Sequence, residues 1–308
     1  MIRYVARRLL TAVLVLLITL FVTFMLMRGI GGTPFYPAEG YSIPLYLQRE
    51  LTAYYHLDQP WPVQFAVYLW HIVRFDFGPT LSYRDQTVTA VIHGGVPVSL
   101  ELAGLATALA LLLGLPLGLA STLRRGGPLD VAATTVSTIL LATPVFLFAE
   151  LGRDDFVAKW NLGELGWSGP RSAWLPVITL ALAPAGYVAR LVRAGAVDTL
   201  SEDYVRFAHA KGLRRGRILV VHVLPNSLTP FLSAAVPTLA LLVTSAFFVE
   251  RVYQVPGAAD AFITAAERRD YPLVLGLTAV LAAIVVLASL AADVLAAALD
   301  VRLREDRR

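Results

Sequence analysis

Long uncharged apolar runs alternate with polar segments along this chain, and the runs have the length that crosses a bilayer. A helix needs about 20 predominantly apolar residues to span a roughly 30 Å hydrocarbon layer. Six stretches meet that requirement: Leu9 to Met27, about Pro97 to Leu123 with Glu101 near its start, Val131 to Ala149, Trp174 to about Ala196 with Arg190 and Arg193 near its far end, Ser227 to Phe248, and Tyr271 to Leu299. The pattern predicts an all-α polytopic membrane protein with six transmembrane helices. Arg3, Arg7 and Arg8 precede the first run as in a signal peptide, but the run is too long and lacks a small-residue cleavage pattern. It reads as a retained first helix.

Composition supports the same class, with 57% hydrophobic residues, 16% charged residues and a mean hydropathy of +0.65 over 308 residues. That exceeds what an ordinary globular core requires. The chain has no cysteine, which excludes disulfides, thiolate metal sites and cysteine nucleophiles together. Under the six-span scheme with both termini on one side, that side collects 16 of the 26 basic residues and 8 of the 22 acidic ones. By the positive-inside rule both termini are cytoplasmic. The pI of about 9.4 therefore reflects topology, and nucleic acid is not needed as a partner to explain it.

Two polar segments are too large to be simple connectors. The outer one, about Gly29 to Val96, is punctuated by Pro34, Pro37, Pro44, Pro60, Pro62 and Pro79. It also carries Tyr54, Tyr55, Trp61, Tyr68, Trp70, Phe75 and Phe77. A cap that contacts an external protein or the substrate entrance and a plain interfacial aromatic belt both fit this composition. The inner one, Asp198 to Phe231, reads as a short capped helix. Ser201 is placed as N-cap, Glu202 and Asp203 lie in the first turn, and Gly212 ends the helix in a left-handed conformation after about three turns. Tyr204, Phe207, Ala208 and Lys211 fall at i, i+3, i+4 and i+7 and so present one face. A helix this short needs tertiary support. It either lies on the lipid headgroups through Arg214, Arg215 and Arg217, or docks into a cytoplasmic protein.

The stretch YVRFAHAKGLRRGRILVVHVLPNSLTP resembles the cytoplasmic loop shared by permease subunits of binding-protein-dependent ABC importers, in the form found in the dipeptide and oligopeptide branch. Gly212, His222, Leu224 and Asn226 fall in register with it. The start RYVARRLL, the outer stretch HLDQPWPVQFAVYLWHIVRFDFG, the segment PGAADAFITAAERRDYPLVLG and the ending DVLAAALDVRLR resemble the same branch in the same order. The resemblance implies a type I ABC importer permease fold. Residues 1–28 would form the cytoplasmic N-terminus and first span, 29–96 an extracytoplasmic loop, and 97–308 a core permease domain with a coupling loop at 197–226. It further implies that Tyr204, Val205, Arg206, Phe207, Ala208, Ala210, Lys211, Gly212, Leu213, His222, Leu224 and Asn226 meet an ATPase subunit. The implied partners are a second homologous permease, two ABC ATPase subunits, an extracytoplasmic solute-binding protein and membrane lipid, in the cytoplasmic membrane of a prokaryote. No cofactor is expected in this chain, since ATP and Mg would be bound by the partner ATPases. Where the generic loop begins Glu-Ala-Ala, this one has Arg206, Phe207 and Ala208, so the expected partner contact at Arg206 is acidic. Gly32, Thr33 and Pro34 replace the Gly-Asp-Pro of many relatives, and Val301 replaces a proline. The third span meets Glu150, Arg153, Asp154 and Asp155 soon after Pro144, which predicts a short span with an irregular outer end.

Other chemistries find less support. The two lysines, Lys159 and Lys211, each follow an alanine, so the Gly-Lys pair of a phosphate-binding loop is absent and the chain is not expected to be an enzyme. His56, His71 and His93 match no compact metal motif. Glu101 and Asp293 are the residues an ion-coupled secondary transporter would use, because acids within spans often mark ion paths. Cargo also stays open, since related importers carry haem, nickel or glutathione as well as di- and oligopeptides. Gly114, Pro116, Gly118, Pro144, Pro176, Pro184, Pro230 and Pro237 read equally as kinks around a passage or as close helix packing.

Overall fold

The structure is a computed structural model that describes residues 2–29, 45–81, 83, 86–123, 125–226, 242 and 245–299. Among these the regular structure is helical, apart from one antiparallel bridge between Pro79 and Thr87. The helices are α1 (Ile2–Gly29), α2 (Leu45–Tyr55), α3 (Trp61–Val73), α4 (Val88–Ser121), α5 (Pro128–Ala142), α6 (Val145–Leu151), α7 (Pro170–Leu200), α8 (Asp203–Ala210) and α9 (Arg215–Ile218). They continue with α10 (245–253), α11 (Ala258–Glu267) and α12 (Tyr271–Leu299). Helices α1, α4, α7 and α12 are each long and apolar enough to cross a membrane. The expected fifth span, Ser227 to Phe248, lies outside the described residues except for 242 and 245–248.

The third expected span is not one straight helix. α5 stops at Ala142, and the α6 segment that follows is turned by 93°. Thr143 is extended, with φ −84° and ψ 123°, and Pro144 follows it. A residue before proline is driven out of the helical region, and proline has no N–H to continue the ladder, so the break falls where these two residues dictate. α6 then runs into a π-helical stretch, Gly152–Lys159. The stretch expected as one span from Val131 to Ala149 is therefore bent at Thr143 and Pro144 rather than straight, and the irregular end expected beyond Pro144 is the π-helical stretch. The second span also begins earlier than expected. Thr87 Oγ1 accepts the Ala90 N–H at 3.1 Å, so α4 starts at Val88 rather than near Pro97.

The chain divides into two compact units, Met1–Ser99 with Pro256–Leu290, and Leu100–Val255 with Ala291–Arg308. In the first, α3 packs on α1. Phe21 and Phe24 of α1 meet Phe65 of α3 at ring distances of 5.4 and 5.3 Å, and Arg28 donates to Gln64 Oε1 at 2.7 Å. Tyr68 and Phe77 enter an apolar core with Val88, Ile92 and Leu273, and the buried Tyr55 hydroxyl donates to the Phe77 carbonyl at 2.9 Å. Trp61, Trp70 and Phe75 remain exposed. Asp270 caps α12 by accepting the Leu273 N–H, and it also holds Thr80 Oγ1 and the Leu81 N–H.

In the second unit, α4 and α5 each pack closely on α7 at glycine positions. A Cβ on Gly114 would stand 2.7 Å from the Ala185 carbonyl oxygen, and one on Gly118 would stand 2.6 Å from that of Ala189. On the other face of α7, a Cβ on Gly186 would lie 2.8 Å from the Ser137 carbonyl oxygen of α5. Small residues at a four-residue spacing let helix backbones approach where apolar burial gives no drive for association in lipid. Pro176 and Pro184 are accommodated inside a continuous α7. At Gly114, Gly118 and Gly186 the close-packing reading is seen directly.

Candidate functional site

The polar segment after α7 forms a compact knob at the end of the α4, α5 and α7 group. Ser201 is not the N-cap of α8. Its N–H donates to the Asp198 carbonyl at 3.1 Å and its hydroxyl to the same carbonyl at 2.6 Å, so it closes α7. Glu202, extended at φ −71° and ψ 146°, leads into α8 without a side-chain cap bond. α8 is consequently about two turns long, shorter than the sequence suggests.

The far end of α8 follows the expectation. Gly212 has φ +76°, its N–H donates to His209 O at 2.9 Å, and the Leu213 N–H donates to Ala208 O at 3.3 Å. That pair of bonds is a Schellman closure, which satisfies carbonyls the helix would leave orphaned. Leu213 packs on the apolar cluster beneath, completing the closure.

One face of α8 points inward. Val205 (0% exposed) and Ala208 (5%) pack with Ala196, Ile218, Leu219 and Val223, against Leu119 and Leu123 from the end of α4 and Leu200 from the end of α7. Ala208 was expected on the presented face beside the aromatics. It turns inward because it and Val205, three residues apart, form the small apolar stripe that fits under the helix ends. The opposite face is exposed, with Tyr204 at 44% and Phe207 at 61%. The Lys211 ammonium lies 4.5 Å from the Phe207 ring centroid, and Arg206 reaches Asp203 at 3.4 Å. Both members of that last pair are highly exposed, so the contact leaves the guanidinium available to a partner. Ala210 is exposed at the tip.

α9 runs into a π-helical turn, Leu219–Val223, which buries Ile218 and Val223 and turns Val220 and Val221 outward. His222 and Leu224 are half-buried, and Asn226 is exposed and donates through Nδ2 to the His222 carbonyl at 2.7 Å. His222 and Asn226 thus shape the backbone that leaves the knob. Between the end of α4 and this knob lies a cavity of about 260 Å³, with Arg125, Ser201 and His209 in its wall.

Sequence reasoning missed a contact beside the knob. Arg193 of α7 donates through Nε to Asp130 Oδ1 at 2.6 Å and through Nη2 to Oδ2 at 2.9 Å. Asp130 is buried and also accepts the Gly126 N–H at 3.0 Å. Both residues carry charge near the ends of expected spans, which was the available signal; a separation of 63 residues hid the pairing. Glu101 accepts a hydrogen bond from Trp167 Nε1 at 3.1 Å on an exposed surface, and the side chain of Asp293 lies outside the described residues. His71 stacks on Tyr54 at 4.6 Å between ring centroids. Among the described residues no three His, Asp or Glu side chains converge as metal ligands.

Comparison with known proteins covers the chain from end to end. Residues 111–305 match the family model "Binding-protein-dependent transport system inner membrane component", and residues 1–102 match its companion for the N-terminal part. The dipeptide transport system permease protein of Bacillus subtilis is 34% identical over 305 residues, covering 99% of this chain and 98% of that one. The oligopeptide transport system permease proteins of Haemophilus influenzae and Escherichia coli K12 are each 32% identical, covering 99% of this chain and all of theirs. A solved structure of the MetNI methionine ABC transporter in an inward-facing conformation has a chain similar in fold. Its TM-score is 0.58 at 19% identity, covering 68% of this chain and 96% of that one.

Proposed function

We propose, for a chain that belongs to the family of binding-protein-dependent transport system inner membrane components, that it is the permease subunit of an ATP-driven importer of di- and oligopeptides. The observation that carries the reading is full-length similarity to dipeptide and oligopeptide permeases. The knob gives that reading a physical basis: a short helix bolted by its inner face to the ends of α4 and α7 while its outer face presents Tyr204, Arg206, Phe207 and Lys211.

In this reading the chain crosses the cytoplasmic membrane of a prokaryote six times with both termini inside. Residues 1–28 supply the first span, 29–96 the extracytoplasmic loop, and 97–308 the core permease domain with its coupling loop at 197–226. It works with a second, homologous permease, two ABC ATPase subunits that bind ATP and Mg, and a solute-binding protein that delivers the peptide. Tyr204, Arg206, Phe207, Ala210 and Lys211 enter the ATPase subunit directly. Val205, Ala208, Gly212, Leu213, His222, Leu224 and Asn226 hold the shape that enters. When the ATPases close on ATP, the knob is displaced and the spans rock between inward-facing and outward-facing states. Aromatic and arginine anchors suit such an interface, because an aromatic ring buries a large area with few rotors to order and a guanidinium offers several fixed donors to an acidic partner.

The test is purification of the tagged chain in mild detergent from its native membrane, followed by reconstitution with its co-purified partners. Recovery of a second polytopic subunit and P-loop ATPases, with peptide uptake that needs ATP and survives collapse of the proton gradient, is the expected result. A folded chain recovered alone, with uptake abolished by that collapse, would overturn the proposal.

A further inference from the structure

Asp130 and Arg193 lie outside the docking face and meet no cargo in the reading above, yet the contact between them is built with care. Two parallel N–H···O bonds fix distance and rotation together, which a single contact does not. The Asp130 carboxylate also accepts the N–H of Gly126, a residue at φ +71°, so the α4–α5 turn is tied to the same point. Asp130 is buried and Arg193 half-buried, and compared with apolar residues of similar volume such an ion pair adds little net stability; what it adds is directional fixation.

Its position gives that fixation a use. Arg193 precedes Ala196 by about one helical turn, and Ala196 is buried against Val205, Ala208 and Ile218 of the knob. α7 and α5 pack along their length, with Gly186 against Ser137 at one level and Arg193 holding Asp130 at another. The second is the level nearer α8. Beyond it α5 runs straight to the break at Thr143 and Pro144. A displacement of α8 therefore reaches α7 through apolar packing, and reaches the start of α5 through this ion pair.

We infer that the Asp130–Arg193 pair is a transmission clamp that makes α5 follow α7 and α8 during the transport cycle. Both are positioning residues, and the inference rests on the transport reading above.

The assay uses the full complex with its ATPase and binding-protein partners in proteoliposomes. D130N and R193K assemble and hydrolyse ATP at close to the wild-type rate, but import roughly tenfold less peptide per ATP, and the exchange D130R/R193D restores most of the loss. Parallel loss of hydrolysis and uptake, or single variants with wild-type uptake per ATP, would overturn the clamp. A second measurement does not depend on cargo. The chain has no cysteine, so spin labels at T138C on α5 and A194C on α7 report the distance between the two helices. D130N must broaden that distribution, and an unchanged one overturns the inference. A wild-type complex that imports no peptide would overturn the proposed function, while the spin-label distances would still decide whether the pair holds α5 to α7.

Discussion

Replacing Gly212 by valine isolates the role of one backbone angle. Gly212 sits at φ +76° with no heavy atom within 4 Å of the place a Cβ would take, so the substitution meets open space. Its cost is that of a branched residue in the left-handed region, about 1–2 kcal/mol. That corresponds to a factor of roughly 5–30 in the equilibrium between the closed and the opened helix end. Opening releases the bonds from Gly212 to His209 and from Leu213 to Ala208 and lifts Leu213 off its cluster. α8, with only eight residues, has little intrinsic stability with which to resist. Hydrogen exchange of the amides at position 212 and at Leu213 in detergent should accelerate by about that factor. The chain should remain in the membrane while ATPase capture and uptake fall. Asparagine, which visits the left-handed region more readily, should do less damage than valine. Unchanged exchange and uptake in G212V would refute the argument, as would equal damage from G212N, since the conformational cost would then not be the cause.

Three further outcomes are expected. R206E should weaken ATPase co-purification without changing the yield of folded chain, and equal recovery would place Arg206 outside the interface. G118L should disrupt the α4–α7 contact, because even a Cβ there would stand 2.6 Å from the Ala189 carbonyl oxygen; overpacking of this kind costs about 1–3 kcal/mol or more. A lowered midpoint in detergent thermal unfolding measures it, and wild-type stability would show that the backbones can separate freely. Burial of Tyr55, with smaller contributions from Tyr54, Asp270 and Asp76, pushes its hydroxyl well above the ordinary tyrosine range. The unfolded chain then releases that proton first, so the stability it confers is complete below about pH 10 and is lost as the pH rises further. Thermal unfolding between pH 8 and 11 should show a decline that Y55F reduces, and an identical slope in Y55F would assign the decline to other groups.

What the sequence made legible follows from how local each signal is. The runs that became α1, α4, α7 and α12 needed only hydropathy and length, and Gly212 needed only its place after a short helix. The pair Thr143 and Pro144 carried a local steric signal for a break that the reading of one continuous span passed over, and the fate of the residues beyond it depended on distant partners. Gly152 lies against the Tyr253 hydroxyl, which is 3.0 Å from Thr179 Oγ1, and no local pattern ties those three together. Ser201 had the chemistry of an N-cap but was taken by the preceding helix, a competition decided by which carbonyl lay within reach. Ala208 was misplaced because a helix this short offers two plausible faces, and the ends of α4 and α7 select between them. Asp130 and Arg193 looked like two separate interfacial charges until the fold brought them together.

The glycine contacts among α4, α5 and α7 restrict the kinds of movement open to this group. Sliding α7 along α4 by one turn would bring Ala110 or Thr122 to the places now held by Gly114 or Gly118, and the backbone spacing leaves no gap for their side chains. Translation along the seams is thereby disfavoured, and tilting of the three helices as one body is the freedom that remains. Under the proposed function, in which the group is driven from its α8 end, this makes it a lever with a fixed cross-section. The width of any passage it borders is then set by the angle of that lever, without change in its internal packing.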